Sequence, residues 1–135
     1  MRIFLDANIL FSASRQPGAI AHLLQHCLDR NHTLVADGYV LAEAKKNLEA
    51  KFPEGLDKLH ELQSKVEFAG RSRRQVNDPE ISSLLPEKDV PVLLSAMEAV
   101  CDVLVTGDKK HFGPLYDRVI HGVHILSPAM LAAKL

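Results

Sequence analysis

Arg2-Ile3-Phe4-Leu5-Asp6-Ala7-Asn8-Ile9-Leu10 opens the chain, and Val103-Leu104-Val105-Thr106-Gly107-Asp108 follows the same plan near its end. In both, a short β-rich apolar run stops at an acid and a turn. Runs of this kind, apolar at every position, read as strands covered on both faces. The chain between them alternates. Ala19–Arg30 carries Ile20, Leu23, Leu24, Cys27 and Leu28 at helical spacing, and Thr33–Ala36 reads as a second strand. Asp37 is placed to cap a helix over Tyr39–Lys51, which Pro53 ends. A shorter helix over Gly55–Ser64 and a third strand over Val66–Ala69 follow. Gly70–Pro86 reads as a loop with a helical turn. A helix over Val90–Val100 then leads to the fourth strand, Val103–Thr106. Val123–Leu126 is a fifth strand, and Ser127-Pro128 starts the last helix. Strands alternating with helices predict an α/β fold, one domain over 1–135, with a parallel sheet of about five strands.

Composition narrows the function. With 135 residues, 47% hydrophobic and 24% charged, the chain is a globular domain of ordinary size. Its longest apolar runs fall far short of the roughly 18 residues of a membrane span, and no secretory leader is apparent. The expectation is a cytoplasmic protein with no membrane partner. Cys27 and Cys101, each in an apolar setting, read as buried thiols. Sixteen Lys and Arg against seventeen Asp and Glu give a net charge of -1, so no global field draws a polyanion. Such a partner needs a local patch or a metal. Aromatic content is 5% with no Trp, which disfavours sequence reading by base stacking.

The acids carry the chemical signal. Asp6 and Asp108 end strands, and Asp89 opens the helix that feeds the fourth strand. In a doubly wound sheet these positions share the carboxyl edge, where sites form. Glu43 lies early in its helix and leans toward the same edge. Four carboxylates without an obvious cation repel one another unless something positive joins them. Oxygen donors suit Mg²⁺ or Mn²⁺; the seven histidines are scattered and do not read as a zinc site, and His111, near Asp108, is the one worth testing, with surface or packing use its expected role.

The motifs resemble those of PIN-domain ribonucleases. Phe4-Leu5-Asp6-Ala7-Asn8-Ile9-Leu10, Val40-Leu41-Ala42-Glu43, Lys88-Asp89-Val90-Pro91, Cys101-Asp102-Val103-Leu104-Val105-Thr106-Gly107-Asp108 and His124-Ile125-Leu126-Ser127-Pro128 occur in the family's order and span nearly the whole chain. The resemblance implies a three-layer α/β/α sandwich and Mg²⁺- or Mn²⁺-dependent cleavage of RNA. It also implies the toxin role of a toxin–antitoxin pair, with a small antitoxin as partner. The apolar face of the Gly55–Ser64 helix suits a homodimer or the antitoxin as well as it suits core packing. The family's acidic quartet falls on Asp6, Glu43, Asp89 and Asp108, with Asn8 and Thr106 as supporting polar residues. Asp102 enters the fourth strand from the far end and reads as structural.

Phosphodiester hydrolysis needs an activated water and charge relief on phosphoryl oxygens, which a metal site supplies. Asp6 and Asp108 are read as direct ligands, Asp89 as a holder of metal or its water, and Glu43 as a second-metal ligand or water-orienting base. Lys109 and Lys110, next to Asp108, are candidate phosphate contacts; Arg71, Arg73 and Arg74 form a basic loop with no assigned role. Two other classes stay open. A catalytically idle PIN-fold binding or assembly module would have no need of repelling acids. A metal-dependent phosphatase of the haloacid type would want a second Asp where Asn8 stands.

Overall fold

The structure, a computed structural model, describes residues 1–15, 17–70 and 78–135; Arg71, Arg73 and Arg74 lie outside them. The chain runs β1 (Arg2–Leu5), α1 (Ala7–Arg15), α2 (Ala19–Asp29), β2 (Thr33–Ala36), α3 (Gly38–Lys51), α4 (Leu56–Gln63) and β3 (Glu67–Phe68). It continues through α5 (Pro79–Leu84), α6 (Val90–Glu98), β4 (Val103–Val105), β5 (Val119–Ile120), β6 (Val123–Leu126) and α7 (Pro128–Lys134). The strands form one sheet in the order β3-β2-β1-β4-β6-β5. Five of them are parallel, and β5 alone runs antiparallel, against β6. Ile3, Phe4, Leu5, Leu104 and Val105 have no exposed surface, so both faces of the central strands are covered, as an α/β sandwich requires.

Three local features differ from the sequence expectation. A sixth strand, β5, forms because His121 and Gly122 both take positive φ, 49° and 83°, in a two-residue hairpin loop. Asp6-Ala7-Asn8 is a direct strand-to-helix passage rather than a free turn: α1 starts at Ala7, and Ile9, Leu10 and Ala13 bury at helical spacing. Gly70–Pro86 contains the helix α5, which Asp78 caps by accepting from the N–H groups of Glu80 and Ile81, with fully buried Ile81 anchoring it.

The sheet order places the site. Connections from β1 run outward to β2 and β3 on one side, and β4 and β6 lie on the other, so the order reverses between β1 and β4. Leu5 pairs with Val105 at the carboxyl ends of these two strands. Ligand crevices of open α/β sheets form outside that edge.

Candidate active site

Asp6 follows β1 directly and is buried, with 6% of its surface exposed. Its carboxylate is held by donors from its own helix and from the turn after β4. Its Oδ1 accepts from the Ala7 N–H at 2.8 Å, and its Oδ2 accepts from Thr106 Oγ1 at 2.7 Å and Asn8 Nδ2 at 3.2 Å. Burial pushes the Asp6 carboxyl above the usual carboxylate range; the Thr106 and Ala7 bonds pull it back, and Glu43 and Asp89 raise it further. Thr106, fully buried, also accepts from the Asp108 N–H at 3.2 Å. Asn8 uses its other end to accept from the Gly107 N–H at 2.8 Å. One network thus locks the end of β1 to the turn after β4.

Two tyrosines, which sequence reading passed over, support this frame. The Tyr116 hydroxyl donates to the Thr106 carbonyl at 2.8 Å. The Tyr39 hydroxyl donates to the Lys88 carbonyl at 2.7 Å, which ties the segment before Asp89 to the first turn of α3, where Glu43 follows one turn on.

The helix starts reveal which acids are used structurally. Asp37 caps α3 through the Val40 N–H, and Ser127 caps α7 through the Met130 N–H. Asp89 stands at the cap position of α6 but makes no capping bond. Its Oδ2 faces His111 Nδ1 at 2.8 Å, and Asp108 Oδ2 faces the same nitrogen at 3.2 Å. Asp102 lies at the opposite edge of the sheet, where its carboxylate accepts from the Arg2 N–H at 2.7 Å.

Asp6, Glu43, Asp89 and Asp108 line one crevice with Asn8. Its remaining walls are Ala7, Phe11, Asn47, Lys51 and Lys88. Glu43, Asn47 and Lys51 stand four residues apart and so share one face of α3. The Lys51 ammonium lies over the Phe11 ring, 5.9 Å from its centre. Among the described residues Lys51 and Lys88 are therefore the crevice cations, whereas Lys109 and Lys110 are exposed on the turn beyond Asp108 and do not line it. The i, i+8 spacing from Glu43, two steps of four along α3, was the available signal for Lys51. His111 is the residue whose position reasoning from sequence undervalued: it stands against two of the four acids. His22 and His26, one turn apart on α2, are exposed and are not joined by a third donor among the described residues.

A divalent ion fits this donor set. The donors are carboxylates, and the buried atoms Asp89 Oδ2 and His111 Nδ1 have no hydrogen-bond partner. The two atoms approach each other without forming a hydrogen bond; buried polar atoms without one call for an explanation, and an ion is one of the recognised ones. The two cysteines are buried and unbonded; burial pushes the Cys101 thiol up to about 11, which removes it from thiolate chemistry.

Comparison with known proteins agrees with the fold. A family model described as the PIN domain matches residues 2–110. The chain belongs to the PIN-domain family. No curated protein matches it significantly. Among solved structures it is similar to VapBC2 from Rickettsia felis bound to a DNA fragment from their promoter, at TM-score 0.64 and 17% identity over 94% of this chain and 98% of that one. It is similar also to VapBC-1 from nontypeable Haemophilus influenzae, at 0.58 and 17% over 96% and 99%. FitAcB from Neisseria gonorrhoeae follows at 0.56 and 16% over 94% and 98%.

Proposed function

We propose that the protein is a Mg²⁺- or Mn²⁺-dependent endoribonuclease acting as the toxin of a toxin–antitoxin pair. The observation that carries this reading is the convergence of Asp6, Glu43, Asp89 and Asp108 on one crevice at the carboxyl edge of the sheet. Family membership and the fold shared with VapBC2, VapBC-1 and FitAcB support it. Asp6, Asp89 and Asp108 are the residues that would hold the ion, with Glu43 on the facing helix. When bound, such an ion supplies charge relief on the phosphoryl oxygens and an activated water.

The chain's own groups do the rest. Thr106 and Asn8 hold the Asp6 carboxylate so that it cannot rotate away. Glu43, the most open of the four, orients the attacking water through a carboxylate oxygen. Lys51 and Lys88 take flanking phosphates from the crevice walls, and Lys109 and Lys110 meet the strand as it leaves. Exposed cations of this kind bind backbone rather than sequence. The partner is a small antitoxin protein, and a second copy of the chain is a further partner; the setting is cytoplasmic. Among the described residues no helix is long and apolar enough to cross a membrane.

The test is cleavage of a structured RNA by the purified protein. Cleavage is expected to stop in EDTA, return with Mn²⁺ or Mg²⁺, and be absent in Asp6→Asn. Undiminished cleavage in EDTA refutes the metal reading, and equal cleavage by Asp6→Asn refutes the site.

A further inference from the structure

His111 has no role in the mechanism above, yet it is the histidine that stands against the acids of the crevice. Its Nδ1 lies 2.8 Å from Asp89 Oδ2 and 3.2 Å from Asp108 Oδ2. These distances suit hydrogen bonds, but neither Nδ1 nor Asp89 Oδ2 has a hydrogen-bond partner, and both atoms are sealed from solvent. Close approach without bonding direction is what donor atoms show when they converge on a common point. Ligands on neighbouring corners of an octahedron, bound at about 2.1 Å, stand about 3.0 Å apart. The two distances, 2.8 and 3.2 Å, bracket that spacing, and all three donors lie within 4.8 Å of one another.

The surrounding structure presents these oxygens to the ring. Asp108 uses its Oδ1 to accept from the N–H groups of Lys110 and His111, both at 3.1 Å, which turns Oδ2 toward the imidazole. Asp89 forgoes the capping bond that its position on α6 offers. A second group, Asp78, Glu80 and His121, lacks these marks: it is more exposed, and Asp78 already caps α5.

We infer that His111 is a nitrogen ligand of the divalent ion, sharing it with Asp89 and Asp108. The inference rests on the divalent-ion reading above. It makes the site a mixed nitrogen and oxygen site rather than an all-carboxylate one. Mg²⁺ prefers oxygen alone, whereas Mn²⁺, a transition ion, accepts an imidazole among its oxygen ligands, so the site should favour Mn²⁺ over Mg²⁺.

The test reads the ion's surroundings and not turnover. Full-length protein is stripped with chelator, loaded with Mn²⁺, and examined by pulsed electron paramagnetic resonance. A ¹⁴N coupling from a directly bound imidazole is expected, and labelling the histidines with ¹⁵N should replace it by a ¹⁵N coupling. His111→Gln should remove the coupling and weaken Mn²⁺ binding by about tenfold or more, with a smaller loss for Mg²⁺. If Mn²⁺ binds, Asp6→Asn weakens it, and no nitrogen coupling is seen in the wild type, the inference fails while the divalent-ion reading stands. If coupling survives in His111→Gln, another histidine is the ligand and the inference fails. If Mn²⁺ does not bind the wild type at all, the divalent-ion reading itself fails and takes the inference with it. Should His111→Gln not fold, the isotope exchange in the unsubstituted protein decides. Among the described residues His111 is the only histidine grouped with Asp89 and Asp108.

Discussion

Replacing Asp6 by Asn removes one buried charge and leaves the shape of the side chain unchanged, so its consequences can be worked through. Both Asp6 oxygens act as acceptors, one for Ala7 and the other for Thr106 and Asn8. An amide has one oxygen and one NH₂, so whichever way it turns, a donor faces a donor. That mismatch costs about 1–3 kcal/mol in a buried site. The opposing term depends on pH. Burial raises the Asp6 carboxyl above its unfolded value, so between the two pKa values the folded state binds more protons than the unfolded state. Wild-type stability without metal therefore falls as pH rises from about 4 through the raised pKa, and the loss persists at neutral pH. The amide that Asp6→Asn introduces does not titrate. The stability gap between the two proteins should move in the variant's favour from pH 4 to pH 7. Metal reverses the comparison. A ligand at a hundredfold excess over its dissociation constant adds about 2.7 kcal/mol. At about 2.1 cal/mol/K per residue, 135 residues unfold with an entropy of about 0.28 kcal/mol/K. Saturating Mn²⁺ should thus raise the wild-type melting temperature by about 10 °C and raise that of Asp6→Asn by much less. The assay is thermal melting of both proteins from pH 4 to 8, with EDTA and with Mn²⁺. Parallel pH curves would show that Asp6 is not the titrating group, and an undiminished Mn²⁺ shift in the variant would remove it from the ion site.

Two further substitutions probe the frame rather than the site. Val100 is 76% exposed and has φ of 53° in the turn between α6 and β4. A β-branched residue there costs about 1–2 kcal/mol, part of which Gly gives back through its freer unfolded chain; Val100→Gly should raise stability by about 0.5–1 kcal/mol in chemical denaturation, and a lower value would contradict the strain. At Gly55, an added Cβ would lie 2.8 Å from Leu48 Cδ2 and 2.9 Å from the Ser14 carbonyl oxygen. Gly55→Ala should therefore destabilise by about 1–3 kcal/mol, and a neutral result would mean that α1 and α3 can part there without cost.

The order of elements and the position of the acids were legible because each rests on local rules. Apolar runs at β1, β2, β4 and β6 and helical spacing in α2, α3 and α6 encode burial directly, and the carboxyl edge follows from the alternation. Asp6, Glu43, Asp89 and Asp108 could be placed in one crevice on that basis alone. The helix α1 was obscured because Asp6-Ala7-Asn8 carries turn-forming residues, although Ile9, Leu10 and Ala13 already had helical spacing. Other features depend on groups far apart in sequence. Tyr39 reaches a backbone carbonyl at Lys88, and a carbonyl leaves no trace in residue type. Lys51 enters the crevice because α3 runs straight on from Glu43, whereas Lys109 and Lys110, nearer to Asp108 in sequence, turn outward. His111 takes its place because the turn after Asp108 folds back on its own carboxylate and carries the ring to Asp89. Local sequence determined which side chains the fold offers to the site. The tertiary structure alone decided which nitrogen and which lysines meet the acids, since those meetings require separate elements to close on one another.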